Sequence, residues 1–161
     1  MRIEYSKVLI IMEIIGVMIL LAILIATAYV YPTLPDRVPT HFNALGEADR
    51  WGGKGYLWFV PAMSVFLYLL ITIAGFFPKT WNYPSKIDPS KLPLAEKKVR
   101  NLLMIVKLII TAMFGYIQYM ILKLSGQISF LIMILFTAVL FGIIIYYIVS
   151  LSRLSVKAQR K

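Results

Sequence analysis

The side chains able to do chemistry gather in one short stretch, 34–54, which carries Asp36, Arg37, His41, Asn43, Glu47, Asp49, Arg50 and Trp51 between two long apolar runs. His41 is the sole histidine of the protein. Beside Asp36, Glu47 and Asp49 it offers the imidazole and carboxylate oxygens that suit zinc and similar ions. It lacks a second histidine or a fixed-spacing partner, so no metal is expected. An imidazole can also serve as a general base, but no activated nucleophile stands beside it and no catalytic residue is assigned. Asp36, Arg37, Asp49 and Arg50 can instead hold the segment's own backbone, with Phe42 and Trp51 buried beneath. Exposed ion pairs are each worth about 0 to 1 kcal/mol, so they would set geometry rather than stability. The remaining reading is a recognition surface for an external ligand or peptide.

A second pair with chemical potential lies inside apolar sequence. Glu13 and Lys107 interrupt the first and third hydrophobic runs, each about 8 to 9 Å inward from the run's charged end at 1.5 Å per residue. Ionisable groups at such depth are costly and commonly pair in the bundle interior. An intramembrane ion pair between Glu13 and Lys107 is therefore expected, against the alternative that each side chain reaches its own interface separately.

The elements that must position these groups follow from composition. Hydrophobic residues make up 60% of the chain, and the mean hydropathy is +0.81, more than one soluble core can hide. Apolar runs at 8–31, 56–77, 102–122 and 128–151 are each long enough to cross about 30 Å of hydrocarbon as a helix. Backbone groups in lipid must be satisfied within their own segment, which leaves helix as the economical choice. The expectation is an all-α integral membrane protein of one domain, 1–161. Its four helices fall at about 8–31, 56–77, 94–122 and 128–151, with loops at 32–55 and 78–93.

Lysine and arginine fix the orientation, because cytoplasmic flanks carry the positive excess. With both termini inside, Arg2, Lys7, Lys79, Lys86, Lys91, Lys97, Lys98, Arg100, Arg153, Lys157, Arg160 and Lys161 are cytoplasmic, against Arg37, Arg50, Lys54 and Lys123 outside. Interfacial aromatics agree: Tyr29, Tyr31, Trp51, Tyr56 and Trp58 would mark the outer face, and Trp81, Tyr83, Tyr146 and Tyr147 the inner one. The 34–54 segment is then extracytoplasmic. The first run is longer than a signal-peptide core of about 7 to 15 residues and contains Glu13, so it is expected to stay as an uncleaved anchor despite Ala26-Thr27-Ala28. The net charge of +10 lies beside the spans, where attraction to anionic lipid heads accounts for it; no nucleic-acid partner is expected. Cysteine is absent, so no disulfide staples the outer loop.

Pro32, Pro35 and Pro39 impose extended or turn geometry on that loop, and Gly46 suits a tight turn. Segments 38–42 and 48–51 would pair as a short β-hairpin across Asn43-Ala44-Leu45-Gly46, making a compact cap. Pro78, Pro84, Pro89 and Pro93 stiffen the inner loop, and Pro93 suits a first helical turn. Within the spans, Thr27, Ser64, Thr72, Thr111, Gln118 and Thr137 can bond backbone or neighbouring helices. Gly16, Gly75, Gly115 and Gly142 allow close helix approach.

The run from Leu34-Pro35-Asp36-Arg37-Val38-Pro39-Thr40-His41-Phe42-Asn43 through Gly46-Glu47 to Asp49-Arg50-Trp51 resembles a prokaryotic membrane domain of unknown function found in the N-terminal part of SdpI-like proteins. Trp81-Asn82-Tyr83-Pro84-Ser85-Lys86-Ile87-Asp88 looks like the short members of that family. The resemblance implies a multi-pass protein of a prokaryotic cell membrane, without an assigned reaction. It also implies a role in immunity to, or sensing of, a secreted peptide toxin. The cap would meet the toxin, and the basic inner surface would meet a cytoplasmic regulator.

A rival reading starts from Glu13. A four-span chain with a carboxylate in its first helix is similar to the small multidrug resistance transporters, where that carboxylate exchanges protons for cationic drugs. The outer loop is longer than that architecture needs, and Glu13 lies nearer the interface than the midplane. A purely structural membrane role is the third reading. In each case the partner common to all is the lipid bilayer, no cofactor is expected, and the leading expectation is a non-enzyme.

Overall fold

A computed structural model describes residues 6–83 and 85–155; Arg2, Pro84, Lys157, Arg160 and Lys161, used above for charge or loop geometry, lie outside the described residues. Four helices are long and apolar enough to cross a membrane: α1 (Lys7–Val30), α2 (Phe59–Phe76), α3 (Leu92–Leu122) and α4 (Phe130–Ser152). Between α1 and α2 lies a two-stranded sheet, β1 (Arg37–Phe42) and β2 (Ala48–Gly53).

Helix α3 is the axis of the bundle. Both α1 and α2 pack along it while touching each other only slightly, and α4 leans on it from another side. The apolar side chains of α4 point outward, with none of its most hydrophobic stretch buried inside the protein. A helix apolar all round is at home in hydrocarbon. Ser6 begins α1 by accepting the Leu9 N–H, and Ser129 begins α4 by accepting that of Ile132, as polar caps do.

The second span does not start as an α-helix at 56. Residues Lys54–Trp58 form a 3-10 turn, and regular α2 opens at Phe59. Pro61 supplies the reason: it has no N–H for the carbonyl four residues back, and its ring would crowd that carbonyl, which belongs to Leu57. The third span begins at Leu92 with Pro93 in its first turn, where a missing N–H costs nothing.

The sheet expected from the prolines and Gly46 is present. Arg37 pairs with Gly53, Val38 with Gly52, Pro39 with Trp51, His41 with Arg50 and Phe42 with Ala48, with an irregularity on either side of His41. At the turn, the Asn43 side-chain oxygen accepts the N–H groups of Leu45 (2.9 Å) and Glu47 (3.0 Å). The backbone of Asn43 also donates to Glu47 O at 2.8 Å. Gly46 closes the turn at φ +83°.

The hairpin is docked at two places. Val38 is fully buried in a cluster with Leu34, Leu57 and Ile121, which ties the sheet to the end of α3. Its turn pairs with the α3–α4 connection: Ala48 N–H donates to Gly126 O and Ile128 N–H to Gly46 O, both at 2.7 Å. At the other end of the bundle, Asp88 N–H donates to Leu154 O at 3.2 Å, tying the α2–α3 loop to the end of α4.

Of the four span glycines expected to permit close approach, two do so. A Cβ on Gly16 would stand 2.9 Å from the Tyr68 ring, and one on Gly115 would touch Ile19 and Ile23 at 3.5 to 3.6 Å. Gly75 and Gly142 instead face open space, with nothing within 4 Å of where a Cβ would stand.

Gly46→Ala should release the turn from the α3–α4 connection. The new Cβ would lie 2.2 Å from Ile128 O at a backbone angle that disfavours side chains, a cost of about 2 kcal/mol or more. Limited proteolysis at 43–47 in detergent should become faster than in the wild type, with the helical content by circular dichroism unchanged.

Candidate functional site

Two polar constellations stand at opposite ends of the bundle. The first is the hairpin surface. His41 Nδ1 lies 2.5 Å from Asp49 Oδ1 across the two strands. This hydrogen bond is the main cause that holds the Asp49 carboxyl below its ordinary value. Asp36 lies instead near Lys54, at 3.9 Å, and the Asn43 amide donates to Glu47 Oε2 at 3.1 Å. The carboxylates that could have converged on His41 are thus distributed along the hairpin, and no group of three His, Asp, Glu or Cys gathers among the described residues. Arg37 donates to Trp51 O at 3.3 Å, holding the open end of the two strands together.

Asn43 and Glu47 therefore shape the turn, Asp36 and Arg37 brace the base, and His41, Asp49, Arg50 and Trp51 form the outward surface. The expectation that Trp51 would be buried with Phe42 is corrected: Trp51 is 44% exposed, whereas Phe42 packs on the buried cluster. The strand pairing is irregular on either side of His41, so residues of the hairpin do not follow a simple alternation of faces. Val38 and Leu57 fill the place beneath. A shallow groove of about 630 Å³ runs over this surface, lined by Thr40, His41, Arg50, Trp51, Tyr56 and Phe59.

The second constellation lies among α1, α2 and α3. Lys107 Nζ donates to both Glu13 oxygens, at 2.6 and 2.9 Å, and to Thr72 Oγ1 at 2.9 Å. Tyr68 O–H donates to Glu13 Oε1 at 2.7 Å, and its ring centroid lies 4.3 Å from the ammonium, close enough for a cation–π contact. Three donors of the lysine are thus matched to three oxygens. Gly16, one turn beyond Glu13, leaves the room in which the Tyr68 ring crosses α1.

Tyr68 and Thr72 were not singled out as partners of the pair. Their sequence signal is faint, since a hydroxyl inside an apolar run is usually satisfied by its own helix, as Thr72 also is through Tyr68 O at 2.7 Å. Gln118, expected to bond backbone or a neighbouring helix, does both. It is fully buried and donates from Nε2 to Thr27 Oγ1 at 2.9 Å and to Leu57 O at 3.2 Å. That carbonyl is the one Pro61 leaves without its helical donor.

Exposure separates the partners of the ion pair: the Lys107 side chain is 5% exposed and that of Glu13 35%. Removing the carboxylate strands a buried ammonium, at about 3 to 5 kcal/mol for a broken buried pair. Removing the lysine leaves a carboxylate that retains Tyr68 and an opening. Glu13→Gln should therefore lower the melting temperature in detergent more than Lys107→Met, and the double variant should melt above Glu13→Gln alone. In the hairpin, the lowered Asp49 pKa means that the His41 contact stabilises above the ordinary carboxylate value and is lost as pH falls through the depressed one. The Asp49 carboxyl signal followed by NMR should titrate at lower pH than in His41→Ala.

Residues 18–65 match a family described as a domain of unknown function, DUF1648. The matched segment contains the whole hairpin and neither Glu13 nor Lys107. The chain is also similar to an uncharacterized protein of Archaeoglobus fulgidus, 28% identical over 160 residues, which cover 86% of this chain and 87% of the relative. No solved structure matches.

Proposed function

We propose that this is a non-enzymatic, multi-pass protein of a prokaryotic cell membrane, with both termini in the cytoplasm, whose outer hairpin recognises a secreted peptide. The observation that carries the reading is the division of labour in the hairpin. Turn and base residues are used internally, while Arg50 and the half-open indole of Trp51 flank a groove on a platform anchored to the bundle. Arginine and tryptophan are the side chains that most often anchor binding surfaces. The resemblance to SdpI-like proteins supports immunity or sensing as the purpose of that recognition. In this reading the basic segment at Lys79, Lys86, Lys91 and Lys97 faces a cytoplasmic regulator.

The transporter reading finds less support, because Glu13 is held by both Lys107 and Tyr68. A carboxylate that exchanges protons for a drug must let go of its partners.

The excess of lysine and arginine on the terminal side supports the orientation, and the absence of cysteine makes it simple to test. Leu45→Cys in intact cells should react with a membrane-impermeant maleimide, and Lys79→Cys only after the membrane is opened; the reverse pattern inverts the topology. For function, cells lacking the gene should die at lower doses of culture supernatants that contain secreted peptides. Arg50→Ala with Trp51→Ala, produced at the normal level, should restore protection roughly tenfold less well than wild type, as expected when two anchors of this kind are truncated. Identical survival curves with and without the gene would remove the peptide reading and leave a structural role.

A further inference from the structure

The end of the bundle opposite the hairpin contains a cavity of about 360 Å³ between α1, α2 and α3, within the range of about 300 to 1,000 Å³ usual for small-molecule pockets. Its walls are apolar, formed by Leu9, Ile10, Ile71, Phe76, Leu103 and Met104, and the Glu13–Lys107 pair lies at one limit. Helices α1 and α2 meet less along their length than either meets α3, and both contribute to the lining of the cavity. Ile10 of α1 and Phe76 of α2, both in that lining, are about half exposed, at 48% and 52%, which leaves the cavity reachable from the flank of the bundle. Gly75 adds to the space, since a Cβ there would meet nothing within 4 Å.

Arg100 lines the other limit. It precedes Lys107 by two helical turns, about 10 Å along α3 and nearer the start of that helix. Its guanidinium donates to Gly75 O at 3.2 Å and lies 5.6 Å from the Trp81 ring centroid, the kind of aromatic that settles at headgroup level. Among the described residues no carboxylate is paired with it. Glu13 is paired with Lys107, so the charged residues that line the cavity, Glu13, Lys107 and Arg100, leave it one net positive charge, at the Arg100 end. The contents that fit are an apolar chain beside the walls and an anionic group beside Arg100.

We propose that this cleft is a lateral binding site for an anionic phospholipid, which places its phosphate against Arg100 and Trp81 and lays one acyl chain along the apolar walls as far as the Glu13–Lys107 pair. The guanidinium fork suits phosphate oxygens, and entry from the side needs no passage through water. The site is independent of the hairpin and of any peptide bound there.

Native mass spectrometry of the purified protein, with phosphatidylglycerol and phosphatidylcholine of identical acyl chains, tests the assignment. Wild type should retain phosphatidylglycerol preferentially. Arg100→Gln should reduce that retention by about tenfold, the scale of one lost charge-assisted phosphate contact, and abolish the preference. Gly75→Leu, which fills open space, should reduce retention of both lipids. A Lys97→Gln control should keep the preference. Independently of any variant, phosphatidylglycerol with a photoreactive acyl chain should crosslink to Ile10, Ile71 or Phe76 in wild type. Equal retention of the two lipids by wild type, retention unchanged in Arg100→Gln or Gly75→Leu, or crosslinks confined to α4 would each overturn the proposal, as would displacement of the lipid by a lipophilic cation held at Glu13.

Discussion

An ammonium group embedded among apolar helices has to be met on all sides, and the demand of Lys107 organises this bundle. Lipid offers neither water nor counter-ions, and hydrocarbon gives two helices little reason to prefer each other over acyl chains. Position must therefore be specified by the few polar groups present. Lys107 draws a carboxylate from α1 and a hydroxyl from α2 to one point on α3. Tyr68 completes the arrangement only because Gly16 has no side chain to obstruct its ring. At this level the faces that α1 and α2 turn toward α3 are those that carry Glu13, Tyr68 and Thr72.

A second stitch, eleven residues or about 16 Å further along α3, answers a different deficiency. Pro61 lets α2 begin but leaves the Leu57 carbonyl without a helical donor, and the Gln118 amide supplies one while also engaging Thr27 of α1. The same three helices are thereby joined twice, by an ion pair at one level and a neutral amide at the other. Leu57 also contributes to the buried cluster beneath Val38, so the residue whose carbonyl Gln118 satisfies is part of the seat of the hairpin.

The spans and the hairpin were legible in the sequence because their causes are local. A run of apolar residues has a length, and Pro32, Pro35 and Pro39 ahead of Asn43 and Gly46 leave a two-stranded turn as the economical path. Glu13 and Lys107 stood out because ionisable residues are rare where they lie. What could not be read depends on three-dimensional neighbours. Tyr68 and Thr72 look like any hydroxyl in an apolar run until α1 and α3 are beside them. Trp51 sits outside, and the strand pairing is irregular at His41; neither is announced by the residue pattern. Asn43 is legible both as a turn residue and as a surface polar group, and the turn claims it; Glu47 reads as a surface carboxylate and is bonded to Asn43 instead.

Helix α4 has little lateral support beyond α3, yet each of its ends is fastened. The connection preceding it shares two backbone hydrogen bonds with the hairpin turn, and the residues that follow it share one with the loop before α3. Between those ends it packs on α3, through such contacts as Lys98 Nζ to Ser150 Oγ and the Tyr116 and Phe136 rings. Two loops far apart in the chain, the hairpin turn near Gly46 and the segment at Asp88, thus share α4 as their common abutment, one at each end.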